Sequence, residues 1–153
     1  MAAITRIDAF IKTGDRDGAG TNGSVYLGIG GREFHLDSAA TDFDDFEKGK
    51  SRTYVLGEPP PLPNNNNIVP VSNAVRNDPR IDYVLKSEFL DKFPVYIRLD
   101  PTGDFPEWNL EFAKITVQTH TGFFAEYRNL GDPGSDNLWL GKNYGLYCYL
   151  LKQ

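Results

Sequence analysis

The sequence is poor in the residues that usually carry chemistry. Its 153 residues include one cysteine, Cys148, and two histidines, His35 and His120. A single cysteine excludes an internal disulfide and the multi-cysteine spacings of structural zinc sites. No serine stands in the turn motif of a hydrolase nucleophile, and no glycine-rich phosphate loop occurs. The two histidines, His35 and His120, are therefore the only side chains whose ordinary pKa suits acid–base work near neutral pH.

Basic excess and long apolar runs are also missing. Sixteen Lys and Arg against 21 Asp and Glu give a formal net charge of −5, which disfavours nucleic acid as a partner because that role needs a basic face. The apolar runs are too short to span a bilayer, and the N-terminus has no apolar signal core. We expect a cytoplasmic protein, not a transmembrane one, that could bind a membrane peripherally.

Glycine, proline and aromatic residues are plentiful. The chain has 15 Gly, 10 Pro, 8 Tyr and 10 Phe, a composition typical of short strands joined by turns. Its length suits one domain, so we predict a single domain over residues 1–153.

Alternating apolar and polar residues predict about eight strands. They cover residues 7–12, 25–29, 34–36, 53–56, 95–99, 112–119, 123–127 and 146–151. Gly30 and Gly31 mark a hairpin turn, and the unbroken apolar run at 146–151 predicts a buried final strand. This pattern favours an all-β, antiparallel β-sandwich, with a barrel as the structural alternative.

Residues 58–93 interrupt the strand pattern. They begin with prolines and a run of asparagines at 59–67, and the asparagines contribute nothing to a hydrophobic core. Apolar residues near helical spacing follow at 82–93. We interpret the segment as an insertion at about 58–93 that contains an exposed loop and a short helix.

Two distant stretches are complementary in their oxygen chemistry. Residues 12–23 form a glycine-rich turn with free carbonyls and small oxygen-bearing side chains. Residues 41–50 hold four carboxylates, those of Asp42, Asp44, Asp45 and Glu47. Calcium takes six to eight oxygen ligands, so together the stretches could line a calcium pocket. The alternative is a solvated acidic loop balanced by neighbouring lysines and arginine.

Four blocks, in order, resemble the PLAT (LH2) domain family. They are IKTGD at 11–15 with GAGTN at 18–22 and VYL at 25–27; LD at 36–37 with DFEKGK at 45–50; PEW at 106–108 with KITV at 114–117; and LWL at 138–140. Members of the family occur in lipoxygenases, animal lipases, polycystins and some clostridial phospholipases. The resemblance implies a sandwich of two four-stranded sheets.

The resemblance also implies site residues. Calcium ligands in the family come from the glycine turn and the acidic loop, which here correspond to Gly20, Thr21, Asn22, Asp42, Asp44, Asp45 and Glu47, with Asp17, Asp37 and Glu107 nearby. Membrane-binding relatives project aromatic side chains from loops around the calcium site. The matching candidates for contact with lipid or a partner are Phe43, Phe105, Trp108 and Trp139.

We therefore predict a non-catalytic calcium-binding module that attaches to membrane lipid or to a protein partner. Two alternatives stay open. One is a protein-interaction module without calcium, with aromatic anchors among Tyr83, Phe89, Phe93, Tyr144 and Tyr147. The other is a small-molecule enzyme with a pocket that contains His35 or His120 beside carboxylates.

Overall fold

The computed structural model describes residues 2–40, 43–59, 68–81, 83–129 and 138–153. Within these ranges the chain forms ten strands and one 3-10 helix, Ser87–Asp91. The strands are β1 Ile4–Thr13, β2 Ser24–Ile29, β3 Arg32–His35, β4 Ser51–Gly57, β5 Ile68–Pro70, β6 Val95–Asp100, β7 Trp108–Thr119, β8 Gly122–Arg128, β9 Leu138–Leu140 and β10 Tyr147–Lys152. Asp42 and the proline–asparagine run at 60–67 lie outside the described residues.

The strands form one curled sheet in the order β3-β2-β6-β10-β8-β7-β1-β4-β5, with β9 also paired to β7. The pairing is antiparallel except between β4 and β5. β10 joins the layers, because residues Tyr147 to Leu150 pair with β6 whereas Leu151 and Lys152 pair with β8. The all-β sandwich prediction is confirmed, with the two layers linked through β10.

The core fills the space between the layers. Ile7, Ala9 and Ile11 alternate inward along β1, and Ile97 and Leu99 do so along β6, all at most 1% exposed. Each isoleucine or leucine among them contributes about 1.5–3 kcal/mol when buried. The positive φ of Gly30 and Gly31, 60° and 82°, confirms the predicted hairpin turn between β2 and β3.

The prediction of a fully buried final strand is wrong. Cys148 and Leu150 point into the core, but Tyr147, Tyr149 and Leu151 are 44%, 61% and 48% exposed. β10 belongs to an antiparallel layer with one face toward solvent, so its side chains alternate in burial despite their uniform apolar character.

The predicted insertion is attached to the sandwich by the pairing of β5 with β4 and by hydrogen bonds to residues of β3. The Asn77 side chain accepts a hydrogen bond from the backbone N–H of His35 at 2.9 Å. Arg32 donates to the carbonyl of Tyr83 at 2.9 Å. The expected short helix is the five-residue 3-10 helix, with Leu90 buried. No helix within the described ranges is long and apolar enough to cross a membrane.

Candidate functional site

The glycine turn and the acidic loop meet at one end of the sandwich, as the sequence predicts. Thr21 and Phe46 form an isolated antiparallel bridge, and the N–H of Gly49 donates to the Gly14 carbonyl at 2.9 Å. A Cβ at Gly20 would lie 2.9 Å from the carbonyl oxygen of Phe46. Glycine at position 20 thus permits the two backbones to approach closely.

A third loop, between β6 and β7, joins this end. The N–H of Asn22 donates to the Phe105 carbonyl at 2.9 Å. The buried Thr21 hydroxyl donates to the Pro106 carbonyl at 2.7 Å and accepts from the N–H of Gly23 at 2.9 Å. The side chain of Thr21 therefore ties the turn to the third loop.

A cleft of about 480 Å³ opens between these segments. Thr21, Asn22, Asp44 and Asp45 line it, together with Phe43 and with Asp37 and His35 from the end of β3 and beyond. Glu47 instead approaches the guanidinium of Arg52 at 3.9 Å. The cleft therefore gathers the acidic groups of one loop and the polar groups of the glycine turn.

Asp45 is held by a dense set of hydrogen bonds. Its Oδ1 accepts from the Tyr54 hydroxyl at 2.8 Å and from the N–H of Ser38 at 2.9 Å. Burial raises the pKa of Asp45 to about 6, the Tyr54 hydrogen bond opposes that rise, and the hydrogen-bonded carboxyl of Asp37 adds to it. Burial and the Asp45 charge raise the pKa of Tyr54. Asp37 is anchored in turn by the Ser72 hydroxyl at 2.9 Å.

The residues of the cleft fit a hard cation in donor type. Three carboxylates, those of Asp37, Asp44 and Asp45, face the same space, and carboxylate oxygen is a preferred calcium ligand. Within the ranges that the structure describes, however, no three Asp, Glu, His or Cys side chains converge on one point that could hold a metal ion. The carboxyls of Asp37 and Asp45 instead lie next to each other, and the Asp37 carboxyl contributes to the raised pKa of Asp45.

The raised pKa of Asp45 predicts a stability that falls with rising pH. Because its pKa is about 6 in the folded protein against about 3.9 in an unfolded chain, the folded state binds the proton more tightly. This contribution is complete below about pH 4 and is lost as pH rises through about 6. With screening by solvent at this partly buried site, we expect a loss on the order of 1 kcal/mol.

Urea unfolding of Asp45→Asn from pH 4 to pH 7.5 checks this expectation. The variant keeps an oxygen acceptor for Tyr54 but has no proton to lose, so its profile should lack this fall. Asp91→Asn is the matched control, because the exposed Asp91 carboxylate pairs only at the surface, with Lys152 at 3.3 Å. Parallel profiles for wild type and Asp45→Asn would contradict the assignment.

The four predicted contact aromatics differ in exposure. Phe105 is 72% exposed and stands at the tip of the third loop. Phe43 is partly buried against the core, with the Arg52 guanidinium 4.6 Å above its ring. Trp139 is partly exposed and stacks on Tyr144 with ring centroids 6.3 Å apart.

The structure contradicts the assignment of Trp108 to a contact surface. Its side chain is fully buried, its ring lies 5.1 Å from that of Phe46, and Nε1 donates to the Thr13 hydroxyl at 3.0 Å. Trp108 therefore belongs to the core beneath the loops. Tryptophan at a strand start is compatible with either role, and only its neighbours decide.

The histidines differ in setting. His120 is exposed at the turn between β7 and β8. His35 lines the cleft, but its ring is stacked on Tyr26 with centroids 4.8 Å apart. Sequence reasoning placed Asp37 only near the site and did not identify it as the direct partner of Asp45. Its position shortly after β3 and just before the acidic loop is the sequence feature that could have identified Asp37 as a site residue.

Comparisons with known proteins place the fold. The alpha toxin from Clostridium absonum shares 20% identity and a TM-score of 0.54, over 98% of this chain and 32% of the toxin. A lipoxygenase in complex with arachidonate shares 15% identity with a TM-score of 0.53, over 97% of this chain and 16% of the lipoxygenase. Coral 8R-lipoxygenase, whose calcium activation is ascribed to a C2-like domain, shares 16% identity with a TM-score of 0.52. The match covers 97% of this chain and 17% of the lipoxygenase.

The sequence matches no protein-family model and no curated protein. This chain spans 32% of the toxin and 16–17% of the two lipoxygenase chains. At these identities the likeness establishes a shared architecture: the chain has the fold of a domain found within larger toxin and lipoxygenase chains.

Proposed function

We propose that the chain is a PLAT-like, non-catalytic module that attaches to membrane lipid through the loop end of its sandwich, with calcium in the cleft. One observation carries the proposal. The carboxylate-lined cleft and the exposed Phe105 ring belong to adjoining loops, joined where the N–H of Asn22 donates to the Phe105 carbonyl at 2.9 Å.

The cation would be held chiefly by the neighbouring carboxylates of Asp37 and Asp45, and Asp44 lines the same cleft. The side chain of Asn22, which lines the cleft from the facing turn, is a neutral oxygen donor. Calcium tolerates irregular geometry and mixed ligands, which suits a site built from two loops. Bound calcium would supply positive charge next to lipid phosphate, and this chain with its formal charge of −5 otherwise repels anionic lipid.

Phe105 provides the apolar part of the contact. Aromatic side chains favour the interface between headgroups and acyl chains, and Phe105 is one of the most exposed aromatic rings of the described residues. Arg16 and Asp17 on the neighbouring turn are exposed and charged, so they suit headgroups. The arrangement favours shallow peripheral attachment with a single inserted ring.

The comparisons support the proposal by analogy. A C2-like domain is linked to calcium activation in coral 8R-lipoxygenase, and the four sequence blocks resemble the PLAT family. This chain shares the architecture, and Thr21, Asn22, Asp44 and Asp45, which are among the ligands that the resemblance implies, line its cleft.

Vesicle co-sedimentation tests the function. We expect binding to phosphatidylcholine–phosphatidylserine vesicles in calcium and little binding in EGTA. Phe105→Ser should weaken binding about 10- to 100-fold, because burying one phenylalanine is worth about 1.5–3 kcal/mol. Phe123→Ser is the control, since Phe123 is 67% exposed at the β7–β8 hairpin at the other end of the sandwich.

Binding that persists in EGTA would refute the calcium mechanism, and equal losses for Phe105→Ser and Phe123→Ser would refute the loop-end contact. An absence of vesicle binding under both conditions would favour the protein-partner alternative. The insertion gives that alternative its own support, because Tyr83 is 83% exposed and Phe93 is 46% exposed.

A further inference from the structure

The outward face of the β3-β2-β6-β10 layer carries an unusual group of polar and aromatic side chains. Strand register aligns them in two rows that cross all four strands. The first row is His35, Tyr26, Arg98 and Tyr147, and the second is Glu33, Gly28, Tyr96 and Tyr149. The alternate residues Leu27, Ile97 and Leu150 are buried in the core.

Gly28 makes room for a ring that lies against the sheet. A Cβ at Gly28 would lie 2.0 Å from Cζ of Tyr96 and 2.2 Å from Cε1. The Tyr96 ring therefore rests directly on the backbone of β2. Its hydroxyl reaches β3, where it donates to Glu33 at 2.7 Å. The ring thus extends from β6 across β2 to β3, and its other face is turned away from the sheet.

Tyr147 and Tyr149 stand beside this ring. Their planes are within 9° of each other and make angles of 67° and 69° with the Tyr96 plane. Their centroids lie 5.2 Å and 6.2 Å from that of Tyr96, and the two side chains are 44% and 61% exposed. The three tyrosines form a floor with a steep wall, here called the tyrosine platform.

A fixed polar edge borders the platform. Nε and Nη2 of Arg98 each donate to a carboxylate oxygen of Glu33 at 2.8 Å. The Arg98 guanidinium also lies 4.3 Å above the Tyr26 ring, so its position is determined from two sides. The charges of Glu33 and Arg98 offset each other, and the edge offers hydrogen-bonding groups without net charge.

We propose that the tyrosine platform binds a neutral carbohydrate, with one sugar ring stacked on Tyr96 against the wall of Tyr147 and Tyr149. A pyranose presents C–H groups on its faces, which are attracted to the electron-rich face of an aromatic ring. Its hydroxyls project from the rim, where charged groups such as Glu33 and Arg98 make strong hydrogen bonds. A neutral ligand suits this edge because the charges of Glu33 and Arg98 already offset each other.

Other ligands fit the platform less well. A nucleic-acid base would stack equally well, but its phosphates require a basic groove, and the chain carries a formal charge of −5. A protein partner buries about 20–30 residues on each side, whereas the platform has three rings. A proline-rich peptide is the remaining occupant of a tyrosine-lined surface, and the experiment separates it from carbohydrate.

Affinity electrophoresis of the full chain tests the proposal, in gels containing neutral polysaccharides (amylose, mixed-linkage β-glucan, xylan or galactomannan) and EGTA. We expect retardation by at least one of them. Tyr149→Ala should weaken binding roughly tenfold, as loss of one stacking ring does in nucleic-acid grooves, and Tyr149→Phe should retain it. Gly28→Ala, whose new methyl displaces the Tyr96 ring, should also weaken binding.

Tyr144→Ala is the control, because Tyr144 is 53% exposed but stacks on Trp139, outside the platform. Unchanged melting curves would show that the variants fold. Equal retardation of wild type and Tyr149→Ala, or no retardation by any of the four polysaccharides, would overturn the proposal.

Binding of a polyproline peptide in place of carbohydrate, lost in Tyr149→Ala, would assign the platform to peptide instead. Vesicle binding should be unaffected by Tyr149→Ala, which keeps this test separate from that of the loop end.

Discussion

Replacing Trp108 with alanine is expected to lower the free energy of unfolding by about 3–5 kcal/mol. Its side chain is fully buried, packs on Phe46 of the acidic loop, and donates to the Thr13 hydroxyl at 3.0 Å. Truncation leaves a cavity at the base of the loop end and removes the donor to Thr13. Since whole domains are stable by only about 5–15 kcal/mol, this loss is large.

Urea unfolding with tryptophan-independent detection, such as far-UV circular dichroism, measures this effect. Trp139→Ala is the matched control, because Trp139 is partly exposed and stacks mainly on Tyr144. We expect that variant to lose about 1 kcal/mol, as ordinary point substitutions do. Similar losses for both tryptophans would contradict the distinct roles that burial assigns to them.

Calcium is expected to raise the melting temperature of the wild type by about 5–10 °C at a concentration 100-fold above its Kd. A ligand that binds only the folded state stabilises it by about 2.7 kcal/mol under that condition, and a domain of this size shifts by roughly 2–4 °C per kcal/mol. The effect should vanish in the double variant Asp44→Asn, Asp45→Asn, which removes two of the three carboxylates that line the cleft among the described residues.

Differential scanning calorimetry, with isothermal titration at 25 °C, provides the measurement. Asp91→Asn should respond to calcium like the wild type, since its carboxylate pairs with Lys152 on the surface. Magnesium should stabilise less, because it demands regular octahedral geometry and dehydrates reluctantly. No heat and no melting shift at millimolar calcium would remove the cation from the proposed function and leave the loop end as a calcium-free contact surface.

Calcium and protons should compete at this site. The pKa of Asp45 is about 6, and a cation would take the place of its proton. Calcium affinity is therefore expected to rise as pH increases from about 4 through about 6, the range over which the apo protein loses stability. Calcium affinity that rises with pH while the stability of the apo protein falls would indicate direct ligation by Asp45, as opposed to a general effect of net charge on both quantities.

Local pattern was sufficient to predict much of the architecture. The alternation in β1, β2 and β6 is visible in the chain because one face of each strand is buried and the other meets solvent. The hairpin at Gly30 and Gly31 follows from the positive φ that glycine tolerates. The meeting of the glycine turn with the acidic loop was also predicted, through four ordered blocks that resemble a family.

The tertiary structure decided which side chains are available to a ligand. Burial of Trp108, the proximity of the Asp37 and Asp45 carboxyls, and the exposure of Tyr149 all depend on neighbours far away in the chain. By itself, the composition established the single cysteine, the two histidines and the formal net charge of −5 on which the sequence expectations depended. The packing of the loops and the cross-strand register then determined where carboxylates gather and where Tyr96 lies on Gly28, because burial and pairing are set by contacts between segments that local sequence does not specify.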